Sequence, residues 1–347
     1  MFTESLCDAV QHNCNIVDAR HAGNFTLCIY LMKMREYCRW DKGYSFNDML
    51  TKEEVGEWVT QRESLWDELD EQPFESLKIN GECYDPFDTD LINQALKPQG
   101  LVYSGGIGAR SVPHFFLGKL DMTKTIDDYE VVIASEECAR DLSSPPAMTL
   151  QNKIFLRKES IRRMLWEKLQ EWQWHKIENA ASRAFSYYDF KKNVDKALDE
   201  MTETEMYSIL LHEKGEIDTS NTLGSKWKDF LSGITSTRLD LMLRAAKDFY
   251  ADTLVMLPTL IAEDKQASIH FYAANMSPLR KKMCPSFLVA YKHWCETNDM
   301  AYLDNWIKLS QAHWGKICSD ALVMYLSNKT ELHIEQFIEN SSLGKNE

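Results

Sequence analysis

The sequence is poor in the residues that interrupt regular structure. Its 347 residues include only 14 glycines and 9 prolines. An all-β protein of this length needs many turns, and turns are rich in these two residues. The scarcity therefore favours long helices over a β-sandwich or a β-barrel.

Long apolar runs are missing as well. No stretch approaches the roughly 18 consecutive apolar residues that a transmembrane helix needs, and residues 1–10 do not show the basic and apolar pattern of a signal peptide. We therefore expect a cytoplasmic protein with no membrane partner.

Positive charge is also in short supply. The chain has 39 Lys and Arg against 53 Asp and Glu, which gives a net charge of −14. A negative field disfavours phosphate backbones, so nucleic acid is excluded as an expected partner. A small-molecule ligand or a protein partner stays open, as does the oligomeric state.

The nine cysteines lack the spacing of a zinc site. Their number is odd, and no two of them form a Cys-x-x-Cys motif. A secreted disulfide framework would show a different pattern. The cysteines predict reduced and mostly buried thiols.

The apolar spacing predicts a mainly α fold of the α+β class. Helical periodicity marks the segments 24–40, 52–69, 89–96, 238–257 and 303–326. Short β-branched and aromatic runs bounded by glycine and aspartate fill about residues 100–155, and they predict three or four antiparallel strands. We expect an N-terminal helical lobe with this β insert, residues 1–155, and a C-terminal lobe of seven or eight bundled helices, residues 156–347.

Two capping-box signatures predict where helices begin. Thr51 and Glu54 form the first, and Thr202 and Glu205 form the second. The helix that begins at Thr202 is expected to end near Gly215, because glycine is the commonest residue just after a helix.

The first candidate site is the segment His212-Glu213-Lys214-Gly215-Glu216. On a continuous helix, His212 and Glu216 would share one face, and an imidazole and a carboxylate at that spacing can bind a divalent metal. A zinc protease motif would need a second histidine where Glu216 stands. The alternative is a helix C-terminus with His212 at the negative end of the dipole and solvated glutamates.

Two further regions extend this candidate. Asp248 and Asp252 follow Arg244 at four-residue spacing, which is typical of an exposed ion-pair ladder, but Asp252 stands among apolar residues and must be paired or reluctant to ionise. His270 lies in an apolar and aromatic stretch, and it could face Asp252 or Glu216. A satisfied core histidine is the alternative.

The second candidate is a glycine-rich segment. Gly105, Gly106 and Gly108 are followed by Arg110 and His114, which could line a pocket for an anion. The segment matches neither a P-loop nor a dinucleotide-binding fingerprint, because another strand follows where a helix should begin. A tight hairpin turn is the alternative.

The third candidate lies near the N-terminus, where Asp18, Arg20 and His21 cluster and Cys14 precedes them. A cysteine nucleophile with a histidine base is one interpretation. Structural capping at a helix junction is the alternative, because Ala22-Gly23-Asn24 predicts a break.

Four strings spread over most of the chain resemble a family of uncharacterised bacterial proteins. They are Asp18-Ala-Arg-His21, Met34-Arg-Glu-Tyr37, His212-Glu-Lys-Gly-Glu216 and Asp252-Thr-Leu-Val-Met-Leu-Pro258. The resemblance implies a bacterial cytoplasmic protein with a mixed N-terminal lobe and a helical C-terminal lobe. It implies no activity and no functional residue.

Two functional hypotheses follow. The first is an intracellular enzyme, or a protein that binds a small ligand or a divalent metal, with a polar site in or beside the helical lobe. The second is a non-catalytic interaction protein that presents an acidic helical face. The first requires the polar candidates to converge in space.

Overall fold

The computed structural model describes residues 2–108, 111–175 and 177–344. The chain divides into two compact units, which we call the N-terminal unit (Met1–Glu171 and Asp189–Met206) and the C-terminal unit (Trp172–Tyr188 and Tyr207–Glu347). Within the described residues, no helix is both long enough and apolar enough to cross a bilayer.

The helices of the N-terminal unit include α1 (Phe2–His21), α2 (Leu27–Asp41), α3 (Lys52–Leu69), α4 (Thr89–Leu96) and α5 (Lys158–His175). Of these, α1 and α4 pack against the main sheet, and α3 packs on α1 and α2; the last residues of α5 belong to the C-terminal unit. The predicted capping box is confirmed, because the Thr51 side chain accepts from the Glu54 amide and the Glu54 side chain accepts from the Thr51 amide.

The main sheet is mixed. Its strands are β3 (Leu101–Ile107), β4 (Pro113–Ile126), β5 (Tyr129–Arg140), β6 (Ala147–Leu150) and β7 (Lys153–Arg157), and a separate hairpin joins β1 (Leu77–Ile79) to β2 (Glu82–Tyr84). The spatial order is β3-β4-β5-β7-β6, and β7 runs parallel to β5 while the other pairs are antiparallel.

The prediction of three or four antiparallel strands was therefore wrong in number and in one pairing. The chain first occupies the outer edge as β6 and then returns as β7 between β6 and β5. Apolar runs identify strands, but they do not encode which neighbour a strand pairs with or in which direction.

One face of α1 forms the core against this sheet. Leu6, Val10, Cys14 and Val17 recur at helical spacing and pack with buried residues of the strands, among them Phe115. The same helix carries Asp18, which directly follows Val17, and His21, which lies about one turn later.

The C-terminal unit is helical. After the short α6 (Ala180–Phe185), its elements are α7 (Val194–Leu223, which begins in the N-terminal unit), α8 (Ser225–Gly233), α9 (Thr237–Ala251), a π-helical turn (Asp252–Met256), α10 (Leu257–Ala262), α11 (Gln266–Asn275), α12 (Pro278–Met283), α13 (Pro285–Thr297), α14 (Met300–Leu326) and α15 (Glu331–Asn340). The predicted count was too low, because helices of six to ten residues are too short to show a clear period.

The predicted end of a helix at Gly215 was wrong. Helix α7 runs through both Thr202 and Gly215, and the Thr202 hydroxyl donates to the Leu198 carbonyl inside the helix. Gly215 instead permits a close helix crossing, since a Cβ there would come within 2.5 Å of the Ala251 carbonyl oxygen.

The prediction of reduced cysteines was wrong for one pair. Cys7 on α1 and Cys138 on β5 form a disulfide. The other seven cysteines are free, and Cys14, Cys38, Cys284 and Cys318 are buried as expected. The cysteines consequently no longer argue for a reducing compartment.

Candidate functional site

A cavity of about 370 Å³ in the N-terminal unit gathers residues from two of the predicted groups. We call it the N-terminal cavity; its lining residues are Val17, Asp18, His21, Ala22, Asn24, Phe25, Val112, His114 and Ser143. Asp18 and His21 come from the last turns of α1, and His114 comes from β4. The sequence places these residues almost a hundred positions apart.

An aspartate orients the histidine of this cavity. Nδ1 of His114 lies 3.2 Å from Oδ2 of Asp141, and Oδ1 of Asp141 accepts from the Ser144 amide at 2.6 Å. Burial alone would raise the pKa of Asp141, but the His114 hydrogen bond and charge, with Arg157 and the Ser144 amide, lower it to about 2. Asp141 is therefore an ionised group that fixes the ring of His114.

Gly108 leaves room for the other edge of this ring. A Cβ at Gly108 would come within 2.6 Å of Cδ2 and 2.9 Å of Nε2 of His114. The Gly108 amide donates to the Val112 carbonyl at 2.8 Å, which closes the turn between β3 and β4. The lack of a side chain at Gly108 therefore allows the imidazole of His114 to lie close to the backbone.

Asp18 contributes a carboxyl group with one uncommitted oxygen. Its Oδ1 accepts from the Leu142 amide at 2.8 Å, whereas Oδ2 is buried and has no hydrogen-bond partner among the described residues. The residue is only 3 % exposed. Burial, followed by the charge of Asp141, raises the pKa of Asp18 well above its usual value, so the carboxyl favours its neutral form.

The remaining members of the N-terminal cluster, His21 and Arg20, lie in different environments. Burial lowers the pKa of His21, and Arg20 and His114 lower it further. Arg20 is exposed and donates to the carbonyls of Asp70 and Gln72, where it also lies over Phe74. Arg20 thus anchors the segment that follows α3 and does not cap the junction after its own helix, and it is not among the residues that line the cavity.

Cys14 is unsuited to the role of nucleophile. It is fully buried and its Sγ donates to the Phe115 carbonyl. Burial raises the pKa of the thiol, and the negative charges of Asp141 and Asp18 raise it further. A reactive cysteine needs a lowered pKa and access to substrate.

The glycine-rich segment is divided between strand β3, which contains Gly105 and Gly106, and the connection to the antiparallel strand β4, a connection that begins at Gly108. Gly105 and Gly106 lie in β3 opposite Phe115 and His114. The Gly105 amide donates to Thr89, and a Cβ at Gly105 would come within 2.1 Å of the Pro86 carbonyl oxygen. Arg110 lies outside the described residues.

The C-terminal unit contains a second aspartate–histidine pair. Nδ1 of His212 on α7 lies 2.7 Å from Oδ1 of Asp252 in the π-helical turn, and Arg280 on α12 donates to Oδ2 of Asp252 at 2.5 Å. Arg280 also donates to the Tyr272 hydroxyl at 2.8 Å and lies over the Phe249 ring. The close crossing at Gly215 places α7 beside this turn.

Charge pairing controls the ionisation of this second site. Burial opposes the charged form of His212, but Asp252, with help from Glu216 and Glu213, raises the pKa of His212 to about 10. Burial likewise opposes the charge on Asp252, but Arg280 and His212 lower its pKa below the usual value. His212 is therefore an imidazolium at neutral pH.

Asp248 and Glu216 lie near the His212–Asp252 pair but are not part of it. Lys247 donates to Oε2 of Glu216, whereas Oε1 is buried with no hydrogen-bond partner among the described residues. Burial and the charge of Glu216 raise the pKa of Asp248 to about 6. The predicted ladder from Arg244 does not form, because Arg244 pairs with Asp240.

His270 belongs to a different environment. Its Nδ1 lies 2.8 Å from the Tyr291 hydroxyl, and its ring stacks on Trp294. Burial, and then the charge of Arg183, lowers its pKa to about 4. The core-histidine alternative describes this residue.

No described side chains support the metal hypothesis. Among residues 2–108, 111–175 and 177–344, no group of three or more His, Cys, Asp or Glu side chains is arranged to hold a metal ion. His212 and Glu216 do share a face of α7, but His212 is hydrogen-bonded to Asp252, and Glu216 accepts a hydrogen bond from Lys247.

Sequence reasoning placed Asp252 in the same candidate as His212, but it missed Asp141, the partner of His114, and Arg280, the second partner of Asp252. Asp141 follows Arg140, the last residue of β5, and carries no motif, and Arg280 lies in a short basic run with Lys281 and Lys282. Neither residue stands in an apolar segment that would mark its charge as one that must be paired.

Comparison with known proteins adds a family and nothing more. Residues 5–157 match a family model described as "Family of unknown function (DUF6866) N-terminal domain", and residues 162–341 match the corresponding C-terminal domain. No curated protein and no solved structure matches the chain.

Proposed function

We propose that this chain, which belongs to the DUF6866 family of unknown function, is an acid–base enzyme that acts on a small polar molecule in the N-terminal cavity. Because the family carries no known activity, the support for this proposal comes from the residues of the chain alone. The observation that carries this proposal is the unpartnered oxygen of the buried Asp18 in a cavity that His114 also lines.

Opposite shifts of two neighbouring carboxyl groups support the assignment of roles. The pKa of Asp18 is raised and that of Asp141 is lowered to about 2. When the environments of two carboxyl groups shift their pKa values apart, one commonly acts as the proton donor while the other stays ionised and supports it. Asp18 would act as the proton donor, and Asp141 would hold His114 as the acceptor.

The protons of such a step balance between Asp18, His114 and solvent. Neutral Asp18 gives its proton to the bound molecule and becomes a carboxylate, while His114 removes a proton from another atom of that molecule. Return of the proton from His114 through solvent restores both groups. A histidine oriented by an aspartate is a common general base.

The size and lining of the cavity define the ligand class. A volume of about 370 Å³ falls within the range of small-molecule sites. Apolar side chains such as Val17 and Phe25 line it together with the polar groups. The expected ligand is a small molecule with an acceptor for Asp18 and an acidic proton for His114.

A ligand screen by NMR tests the proposal. Protein labelled at histidine Cε1 is exposed to a library of small polar metabolites, and hits are expected to shift His114 and His21 but not His212. Hits are then incubated in D₂O, and deuterium incorporation into the hit is measured. Asp18→Asn and His114→Gln should each slow this exchange by about 10²–10⁴-fold.

His12→Gln provides the matched control, because His12 also lies on α1 but pairs with Glu75 outside the cavity lining. Exchange that both cavity variants leave unchanged would contradict the proposal. A screen without hits would favour the alternative function, a non-catalytic acidic interaction protein.

A further inference from the structure

Four cationic side chains lie together in the interior of the N-terminal unit, outside the lining of its cavity. We call Lys33, Arg140, Arg157 and Arg163 the basic cluster. The three arginines are 7 % exposed or less. Buried guanidinium groups are costly unless carboxylates or other acceptors satisfy them.

Only one of these arginines has a complete carboxylate partner. Arg157 donates through Nε and Nη2 to both oxygens of Glu137, at 2.9 and 2.5 Å. Arg140 is instead held between aromatic rings, with its Cζ 4.6 Å from the Tyr37 ring centroid and 4.8 Å from that of Trp40. Arg163 lies 3.8 Å from Glu167, and its Nη2 is 3.5 Å from the Ser160 hydroxyl.

Several donors of the cluster lack an acceptor. Nε and Nη1 of Arg140, Nη1 of Arg157 and Nη1 of Arg163 are buried with no hydrogen-bond partner among the described residues. Folded proteins satisfy nearly all buried donors. Four such atoms on three neighbouring guanidinium groups point to a shared acceptor.

The electrostatics agree with this geometry. Burial lowers the pKa of Arg140 to about 10, and Arg163 is the largest charge that lowers it further. Burial also lowers the pKa of Lys33, on which Glu167 acts in the opposite direction while Arg163 and Arg140 add to the lowering. The cations therefore repel one another.

The nearby acids compensate this charge only in part. Glu137 is committed to Arg157, and Asp141 to His114 and the Ser144 amide. Glu159 accepts from the Glu137 amide, and burial with the charge of Glu137 raises its pKa, which favours the neutral form. Glu167 is the remaining carboxylate beside Lys33 and Arg163.

We infer that the basic cluster binds a small oxyanion, of the phosphate or carboxylate type, through Arg140 and Arg163. The planar guanidinium fork matches the oxygens of such anions. The inference rests on the unpartnered donors of the cluster, and it does not depend on the chemistry of the N-terminal cavity.

Thermal unfolding with inorganic phosphate as the probe tests the inference. At constant ionic strength, replacing chloride by phosphate at about ten times its dissociation constant should raise the Tm of the full chain by about 2–4 °C. A parallel series with acetate shows whether a planar carboxylate serves as well, and the stronger response identifies the type of anion.

Arg163→Gln should remove the response while leaving the protein folded. The substitution relieves repulsion with Arg140, so the variant should match or exceed the wild-type Tm in chloride. Arg162→Gln is the control, because Arg162 neighbours it on α5 but pairs with Asp195 and Asp199, and it should keep the response.

Equilibrium dialysis with labelled phosphate gives an independent measure: one bound ion per wild-type chain and at least a tenfold weaker affinity in Arg163→Gln. The inference is overturned if phosphate, acetate and chloride give the same wild-type Tm, or if Arg163→Gln responds as the wild type does.

Discussion

Two aspartate–histidine pairs in the described part of the chain share the same connection, Nδ1 to a buried carboxylate, but differ in their surroundings. In the C-terminal unit, Asp252 is closed off by His212 on one oxygen and Arg280 on the other. In the N-terminal unit, Asp141 holds His114 at the wall of a cavity that Asp18 also lines, and Oδ2 of Asp18 is buried without a hydrogen-bond partner among the described residues.

On the proposed function, this difference separates a pair that stabilises the fold from a pair that takes part in chemistry. Charge pairing raises the pKa of His212 to about 10, which makes it a poor base at neutral pH. The N-terminal pair has a neighbouring acid with a raised pKa and space for a ligand. The predictions below test the division.

The largest expected effect is that of Asp252→Ala. The change leaves the buried guanidinium of Arg280 and the imidazolium of His212 without a counter-ion, and breaking such a pair costs about 3–5 kcal/mol. Urea unfolding measures the free energy of unfolding. Asp248→Ala, one turn earlier and without an ion pair in the described residues, should cost less than about 1 kcal/mol; equal losses would contradict the structural role of Asp252.

Gly215→Ala should give the next largest effect. The added Cβ would meet the Ala251 carbonyl oxygen at 2.5 Å, and backbone must shift to relieve the contact, at a cost of about 1–3 kcal/mol. Gly56→Ala is the matched helical control, because nothing lies within 4 Å of its Cβ position. It should stabilise the protein by about 0.5–1 kcal/mol.

Asp18→Asn should have the opposite sign. The raised pKa of Asp18 means that wild-type stability falls as the pH rises above the unfolded value, because the unfolded chain then releases a proton that the folded chain retains. Asparagine removes this loss and keeps the oxygen that accepts from Leu142. At pH 8 the variant should be more stable than the wild type, whereas Asp8→Asn on the exposed side of α1 should change the free energy of unfolding little.

The last prediction is a pH dependence of the C-terminal pair. The pKa of His212 is raised to about 10 in the folded state from 6.5. Its contribution to stability is therefore complete below pH 6.5 and disappears as the pH rises toward 10. His212→Gln should flatten the free energy of unfolding over this window; an unchanged slope would show that other groups cause it.

The sequence was sufficient for the parts of this molecule that depend on local periodicity. Helix α3 with its capping box and helix α4 begin and end where expected. The pairing of β7 with β5 was not accessible, because strand direction depends on contacts between distant segments. Short helices such as α10 and α12 were missed because they span fewer than two turns.

The candidate residues show the same division. Asp252 stood out because a charge in an apolar segment must be paired, but its partners His212 and Arg280 are 40 and 28 residues away. His114 and Asp18 were placed in separate candidates, and only the packing of α1 against β4 and β5 brings them to one cavity. Which candidates act in function stays a prediction.

The most direct test of the central claim is a carbon-13 NMR titration of the Asp18 carboxyl group. The account predicts that the pKa of Asp18 lies well above its usual value of 3.8, because the carboxyl is buried and lies near the charge of Asp141. It further predicts that Asp141→Asn shifts the Asp18 titration downward, because a neighbouring charge is lost. If Asp18 titrated at its usual value, it would be ionised at neutral pH and could not serve as the acid of this site.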